Sequence, residues 1–165
     1  MIRGKAIKFG KNIDTDQIIG AHHLNLPTIG DMAPFAFENA PHFVEDFKRG
    51  DIIVGEDNFG CGSSREHAAV CLQIAGIEAV VAESYARIFY RNVVDGGFFV
   101  PFEATMSLNT EIATGDELEI NVNLGTLKNL ANRKQYGLKP LGDIIEILRA
   151  GDVFEYARKK GLIKR

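Results

Sequence analysis

The sequence predicts a single α/β domain that covers residues 1–165. Three observations lead to this prediction. Short apolar stretches alternate with helical stretches between residues 51 and 101, which is the pattern of a βαβ unit. Glycines stand at the ends of these stretches, where the chain has to turn. A length of 165 residues with 45% hydrophobic residues is enough for one folded core.

The N-terminal part predicts one strand followed by a long loop. Residues 2–9 alternate polar and apolar side chains around Gly4, so we expect a strand at the edge of a sheet. Asp14 or Thr15 is expected to act as a turn or cap residue. Residues 20–41 contain three prolines and are too long for a routine connection, which predicts a binding or lid segment.

The middle of the chain predicts the alternating strands and helices. A helix over residues 68–75 is apolar on nearly every side and is expected to be well buried. Ser84 is expected to cap the next helix, with Tyr85, Ile88 and Phe89 pointing inward. The predicted elements are a short helix at 43–48, a strand at 51–55, a helix at 68–75, a strand at 77–82, a helix at 84–91 and a strand at 98–101.

The C-terminal part predicts a hairpin and two helices. Residues 117–124 alternate strictly between polar and apolar side chains, which indicates a half-buried strand. Gly125 opens a turn into a second strand at residues 126–130. Residues 143–150 and 153–160 each predict a helix.

The composition argues against several classes of protein. A net charge of −3 does not suit nucleic acid as a partner. We expect no membrane contact and a cytoplasmic location, because no apolar run approaches about 20 residues and the N-terminus lacks a signal-peptide core. Cys61 and Cys71 are too few for an iron–sulfur cluster. The histidines lack a zinc spacing, so His22 and His23 are interpreted as a loop pair and no metal site is expected.

Residues 58–67 carry the strongest chemical pattern. Glycines, serines and Arg65 lie between a predicted strand and a predicted helix, which favours an anion site because helix-start amides and guanidinium groups bind carboxylate or phosphate. Two further interpretations remain open on these residues alone. Ser63 and Glu66 have the spacing of a capping box, and Cys61 could be a nucleophile at a helix start.

The chain resembles the small subunits of the isopropylmalate isomerase family, which correspond to the C-terminal swivel domain of aconitase. The resemblance rests on three motifs in order and runs over almost the whole chain. The motifs are residues 12–19, 59–67 and 84–92, which read Asn-Ile-Asp-Thr-Asp-Gln-Ile-Ile, Phe-Gly-Cys-Gly-Ser-Ser-Arg-Glu-His and Ser-Tyr-Ala-Arg-Ile-Phe-Tyr-Arg-Asn.

The resemblance implies a swivelling β/β/α domain and a hydro-lyase that isomerises 2-isopropylmalate to 3-isopropylmalate, by dehydration and rehydration, in leucine biosynthesis. It implies no cofactor in this chain and a partner large subunit with a [4Fe–4S] cluster. By motif match, Ser63 would be the base that takes a proton from the substrate carbon. Ser64 and Arg65 would hold a substrate carboxylate, and Asp16 would orient a proton-transfer group of the partner.

Two departures from the family pattern bear on the substrate, a small hydroxy diacid. Gly20 replaces the usual proline. In the substrate-recognition loop, where other branches of the family carry an arginine that binds a distal carboxylate, this chain has Leu24, Asn25 and Leu26. Asn25 cannot pair as a cation with a distal carboxylate, so an alkyl side group is expected. This suits isopropylmalate but also dimethylmalate or citramalate, since a pocket gains only about 1–3 kcal/mol per methylene. The sequence also leaves open a homoaconitase-type enzyme and a non-catalytic module that binds carboxylates.

Overall fold

A seven-stranded mixed sheet forms the centre of this computed structural model, which describes residues 1–40 and 47–163. The strands run in the order β4-β3-β2-β1-β5-β6-β7. Strands β1 to β4 pair in parallel, and β5 to β7 add an antiparallel meander to the other side of β1. The strands are β1 (Ile2–Lys8), β2 (Ile52–Val54), β3 (Ala79–Ala82), β4 (Val100–Glu103), β5 (Glu117–Asn121), β6 (Thr126–Asn129) and β7 (Gln135–Gly137).

Five α-helices and two 3₁₀ segments accompany the sheet in the described part of the chain. Helices α2 and α3 connect the parallel strands, as the predicted βαβ pattern requires. No helix among the described residues is long and apolar enough to cross a membrane. The helices are α1 (Thr15–Ile18), α2 (His67–Ala75), α3 (Arg87–Gly96), α4 (Ile144–Ala150) and α5 (Val153–Lys159), and the 3₁₀ segments are Ala21–Asn25 and Ile29–Phe35.

The apolar core lies on both faces of the sheet. Successive residues of a strand point to opposite faces, so neighbours in sequence enter different clusters. One cluster joins the sheet to α2, α3 and the 3₁₀ segments, and the other joins it to the residues around the antiparallel meander. Representative members are Ile7, Ile53 and Val80 in the first cluster and Ala6, Ile52 and Ala79 in the second.

Strand β1 lies inside the sheet, so the predicted edge position is wrong. It pairs with β2 through Ala6 and Ile52 and with β5 through Gly4 and Leu118. Gly4 marks a close backbone approach, because a Cβ atom there would lie 2.1 Å from the carbonyl oxygen of Gly50. The glycine that suggested a weak edge strand is therefore a packing requirement of the interior.

The two crossover helices differ from their predictions in burial and boundaries. Helix α2 buries one side through residues such as Leu72, but Ile74 is exposed, so the helix is not buried all round. Helix α3 begins after Ala86 without a side-chain cap, so the predicted Ser84 cap is wrong. Phe89 points inward as predicted, whereas Ile88 is exposed.

The C-terminal predictions are largely confirmed. The hairpin of β5 and β6 is present, although β5 ends at Asn121 and Leu124 is exposed in the turn. Strand β7, a third antiparallel strand, was not predicted. Helices α4 and α5 lie within a residue of their predicted bounds. The helix predicted at residues 43–48 lies largely outside the described residues.

Candidate active site

The loop between β2 and α2 is held against the chain segment that precedes α1. The Thr15 amide donates to the carbonyl oxygen of Cys61 at 2.8 Å, and the Gly60 amide donates to that of Ile13 at 2.8 Å. Asp14 caps α1 and forms a capping box with Gln17, which confirms Asp14 as a cap residue. These bonds place the second motif beside the first, although residues 20–58 separate them in sequence.

The loop contains three left-handed residues in five positions: Asn58, Gly60 and Gly62, with φ of 61°, 78° and 92°. Gly62 is required twice over. Its φ disfavours any side chain, and a Cβ atom there would lie 2.3 Å from a carboxylate oxygen of Asp14. The backbone of the loop is therefore fixed by local geometry as well as by its neighbours.

Ser63, Arg65 and Asp16 form one connected polar group. The Arg65 Nε atom donates to the Ser63 Oγ atom at 3.0 Å, and the Arg65 Nη2 atom donates to the Asp16 carboxylate. The Arg65 side chain is 22% exposed, whereas that of Asp16 is 57% exposed. Arg65 thus bridges a hydroxyl and a carboxylate from two different motifs.

Ser63 does not cap the following helix, so the capping-box interpretation is wrong. Helix α2 begins at His67 after Glu66, and no side chain caps it. The Ser63 amide donates to the buried Thr15 hydroxyl at 3.1 Å, which leaves the serine Oγ atom to Arg65. The cationic support for Ser63 therefore comes from a guanidinium rather than from the amides of a helix start.

A cleft of about 860 Å³ opens beside Ser63 and the start of α3. Arg87 and Arg91 add positive charge to its wall, one helical turn apart, and Arg91 also pairs with Asp95 at 3.3 Å. Burial raises the pKa of Tyr85 well above its usual range, so its hydroxyl stays protonated in this wall. The cleft is lined by Gly60, Gly62, Ser63, Tyr85, Ala86, Arg87, Ile88, Tyr90, Arg91 and Glu103.

Arg87 and Arg91 are cleft residues to which the sequence alone assigned no role. Both belong to the third motif, and their spacing of four places them on one side of a helix. That spacing could have identified the two arginines from the sequence as a pair on one helix face. The position of this side relative to Ser63 depends on the parallel bridge between Phe59 and Tyr85, which only the tertiary structure reveals.

Ser63 lines the cleft, whereas the other predicted site residues of the described chain do not: Asp16, Ser64, Arg65, Leu24, Asn25 and Leu26. Ser64 is exposed, and its carbonyl oxygen accepts a hydrogen bond from the Asn92 side chain at 3.2 Å. Leu24 and Leu26 are half-buried and pack against the core, while Asn25 is exposed. Their assignment to substrate binding stays a prediction.

The two cysteines do not suit nucleophilic chemistry. Burial, with a smaller contribution from the Asp14 carboxylate, raises the pKa of Cys61 above its usual value. A catalytic thiol needs a lowered pKa, so this environment disfavours the cysteine hypothesis. Burial raises the pKa of Cys71 to about 12, and its Sγ atom lies 3.5 Å from the carbonyl oxygen of Met32.

The arrangement of sheet, crossover helices and Ser-Ser-Arg loop defines the aconitase C-terminal domain class, whose family model matches residues 9–105. The small subunit of 3-isopropylmalate dehydratase from Wolinella succinogenes is 45% identical, over 96% of this chain and 94% of its own. The small subunit of isopropylmalate/citramalate isomerase from Methanocaldococcus jannaschii is 44% identical, over 97% and 95%.

A crystal structure of 3-isopropylmalate dehydratase from Methanocaldococcus jannaschii has the same fold. It superposes with a TM-score of 0.88 at 38% identity and covers 98% of this chain and 95% of that one. The chain belongs to the 3-isopropylmalate dehydratase small-subunit family, within the aconitase C-terminal domain family. The predicted α/β fold class and the family resemblance are thereby confirmed.

Proposed function

We propose that this chain is the small subunit of a hydro-lyase that converts 2-isopropylmalate to 3-isopropylmalate, a step of leucine biosynthesis. The observation that carries the proposal is the full-length similarity to small subunits of 3-isopropylmalate dehydratase, together with the Ser63–Arg65 contact. The predicted single domain over residues 1–165 and the cytoplasmic location remain part of this proposal.

Ser63 is proposed as the base of the reaction. A serine hydroxyl is a weak base because its alkoxide is unstable in water, and a positive donor aimed at the oxygen offsets this. The Arg65 Nε–H points at the Ser63 Oγ atom at 3.0 Å and supplies that donor. As its alkoxide, Ser63 would take the proton from the substrate carbon and become a neutral hydroxyl. The hydroxyl on the adjacent carbon would leave as water with a proton from an acid of the partner subunit, and the electron pair of the broken C–H bond would form the double bond. Water then adds to the double bond with its hydroxyl on the other of the two carbons, which completes the isomerisation.

Asp16 is proposed to orient Arg65 in addition to any group of the partner. Its carboxylate accepts from Nη2, so it fixes the plane of the guanidinium and directs Nε toward Ser63. The remaining guanidinium donors and the exposed Ser64 hydroxyl are left to hold a substrate carboxylate. More than half of the Asp16 side chain is exposed, so it can also face a second subunit.

A [4Fe–4S] cluster is proposed to lie in a partner large subunit. Cys71 is buried in the core and Cys61 lies alone on the loop, so these two thiols do not make a cluster site. When bound, such a cluster supplies a Lewis acid for the leaving hydroxyl. The residues of this chain would deprotonate the substrate carbon and hold the carboxylate.

An alkyl malate suits the recognition loop better than a substrate with a third carboxylate. Leu24 and Leu26 are apolar, half-buried side chains of this loop that pack against the core. Asn25 adds no charge. Citramalate is a second candidate substrate, because the Methanocaldococcus jannaschii relative is named for both substrates.

The deciding experiment is a hydratase assay that follows the ultraviolet absorbance of the unsaturated intermediate. The chain is tested alone and with an anaerobically prepared cluster-bearing large subunit, on isopropylmalate, citramalate and dimethylmalate. We expect turnover only in the mixture and fastest with isopropylmalate. Turnover by the isolated chain, or none in a mixture whose subunits associate, would contradict the proposal. Preference for another malate would correct the substrate alone.

A further inference from the structure

Three metal-binding side chains meet in the segment that precedes strand β2, outside the residues assigned to the reaction. The His22 Nε2 atom lies 3.1 Å from one carboxylate oxygen of Glu38, and the His23 Nε2 atom lies 2.8 Å from the other. One donor atom from each residue falls within 4.8 Å of the other two. Among the described residues, this is the group of three metal-binding side chains that meets the distance expected of a metal site.

The cluster is supported by packing rather than formed by chance contact of mobile side chains. The His23 ring stacks on Phe35 with a centroid distance of 4.0 Å and an interplanar angle of 15°, and its side chain is only 12% exposed. The Glu38 amide donates to the Phe35 carbonyl oxygen at 3.1 Å, which fixes the backbone that carries the carboxylate. The His22 side chain is 69% exposed and completes the group from the solvent side.

Gly20 makes room for this cluster. A Cβ atom at this position would lie 2.6 Å from the His22 Cε1 atom and 3.0 Å from a Glu38 carboxylate oxygen. A side chain at position 20 would therefore push the His22 ring away from the Glu38 carboxylate.

The donor set and spacing suit a divalent transition metal. Two imidazole nitrogens and one carboxylate oxygen are a common set for Zn²⁺, with a fourth position left to water. Zinc–ligand bonds of about 2.0–2.1 Å in a tetrahedron separate neighbouring ligand atoms by about 3.3 Å. The two observed nitrogen–oxygen separations, 3.1 Å to one carboxylate oxygen and 2.8 Å to the other, lie within about 0.5 Å of this value. One donor atom from each of the three residues lies within 4.8 Å of the other two.

We propose that His22, His23 and Glu38 bind one divalent transition-metal ion, and that this ion fastens the segment of residues 20–38. The ion would replace the two histidine–carboxylate hydrogen bonds with stronger coordination bonds. It would join the first 3₁₀ segment, Ala21–Asn25, to Glu38, which lies three residues beyond the end of the second segment, Ile29–Phe35. The site is independent of turnover, so its test does not depend on the partner subunit.

The test uses the isolated chain, Zn²⁺ as the probe in calorimetry and Co²⁺ as the probe in absorption spectroscopy. We expect one Zn²⁺ per chain and a Co²⁺ spectrum without the near-ultraviolet band of a thiolate ligand, which separates this site from Cys61. His22→Gln and Glu38→Gln should each weaken Zn²⁺ binding at least tenfold. His67→Gln, which changes a half-buried histidine outside the cluster, should leave the affinity unchanged.

A second variant keeps all three ligands. Gly20→Ala retains an ordinary backbone conformation, because φ at Gly20 is −62°, but its methyl group would displace the His22 ring. We expect it to weaken Zn²⁺ binding while the circular-dichroism spectrum of the chain stays unchanged. Absence of saturable Zn²⁺ binding, or binding that tolerates both His22→Gln and Glu38→Gln, would overturn the proposal. A thiolate band in the Co²⁺ spectrum would likewise overturn it.

Discussion

At the scale of single residues, the geometry of the site depends on which hydrogen-bond partner each polar atom has. Arg65 divides its donors between Ser63 and Asp16, and Thr15 occupies the Ser63 amide. The Ser63 Oγ atom therefore has a positive donor beside it, in a residue that lines the cleft. The sequence contains all these residue types but does not reveal their partners.

Ser63→Ala is expected to lower kcat by about 10²–10⁴-fold, the usual contribution of a general base. KM and assembly with the large subunit should change little, because the alanine removes only the Oγ atom. Steady-state kinetics of the reconstituted enzyme measure the first two quantities, and size-exclusion chromatography measures the third. Ser107→Ala, at an exposed serine whose hydroxyl accepts from the Asn109 amide, is the matched control. Wild-type turnover by Ser63→Ala would refute the base assignment.

Arg65→Lys is expected to lower kcat by about 10²-fold and to raise KM for the hydroxy diacid. A single ammonium group cannot occupy the Nε and Nη2 positions at once, so the support for Ser63 or the pairing with Asp16 is lost. Arg3→Lys is the control, because Arg3 also uses Nε and Nη2 on one carboxylate but lies on the exposed sheet surface. If both variants behave alike, Arg65 has no special role.

Cys61 is expected to react slowly with iodoacetamide. Burial and the Asp14 carboxylate raise its pKa, so a smaller fraction is thiolate at a given pH than in a free thiol. At pH 8 its alkylation rate, followed by mass spectrometry, should fall below that of N-acetylcysteine and rise as the pH increases. Cys61→Ser should show no native-state labelling, since Cys71 is buried with a pKa of about 12. If Cys61 is alkylated faster than N-acetylcysteine, the hypothesis that Cys61 is a nucleophile would be supported instead.

At the scale of elements, the conformation of the loop between β2 and α2 is held by hydrogen bonds to α1 and the segment before it, more than by the helix α2 that follows the loop. Its amides and carbonyls bond to the segment before α1, and its side chains reach α1. A loop fixed in this way is sensitive to one added atom. At Gly62, the Asp14 carboxylate leaves no room for a Cβ atom.

Gly62→Ala is expected to destabilise the fold more than Gly115→Ala. Both glycines have φ above 90°, so each substitution costs about 1–2 kcal/mol of backbone strain. The Gly115 site is open, whereas a methyl group at Gly62 would collide with the Asp14 carboxylate. The free energy of unfolding in urea should therefore fall by at least about 1 kcal/mol more for Gly62→Ala. Equal losses would mean that the loop moves aside freely.

Local patterns predicted most elements, and tertiary contacts explain the exceptions. The buried strands β2 and β3 and the final helices follow directly from hydropathy and glycine stops. The Ser84 cap failed because its hydroxyl instead accepts from the Asn58 amide, a contact across 26 residues. Strand β7 is three residues long and only Tyr136 is buried, so it lacked a periodic signal. Motif match singled out Ser63 and Arg65 as candidate site residues, whose roles stay predictions, and the hydrogen bond between them is visible only in the fold.

At the scale of the whole molecule, β1 joins the parallel and the antiparallel parts of the seven-stranded sheet. Its C-terminal half pairs with the parallel strands, and its N-terminal half pairs with the antiparallel meander. Both apolar clusters contain β1 residues, Ile7 in one and Ala6 in the other. The stability of either half therefore depends on the same strand.

Amide hydrogen exchange is expected to be slowest in peptides from β1 and β2 and faster in peptides from β7. Interior strands open only with the whole sheet, whereas an edge strand can fray locally. Tyr136 in β7 and Ile7 in β1 are both buried, so side-chain exposure does not explain the expected difference. Mass spectrometry of peptides that cover residues 2–8 and 135–137 measures it. Equal protection would show that the meander opens only together with the parallel strands.

The three left-handed residues of the Ser63 loop have a thermodynamic consequence. Asn58, Gly60 and Gly62 commit the backbone to its turn when the chain folds, and the bonds to Ile13 and Thr15 hold it there. A ligand then meets a surface whose conformational entropy is already lost, so association carries little further ordering cost. Binding at this loop should accordingly show a small heat-capacity change.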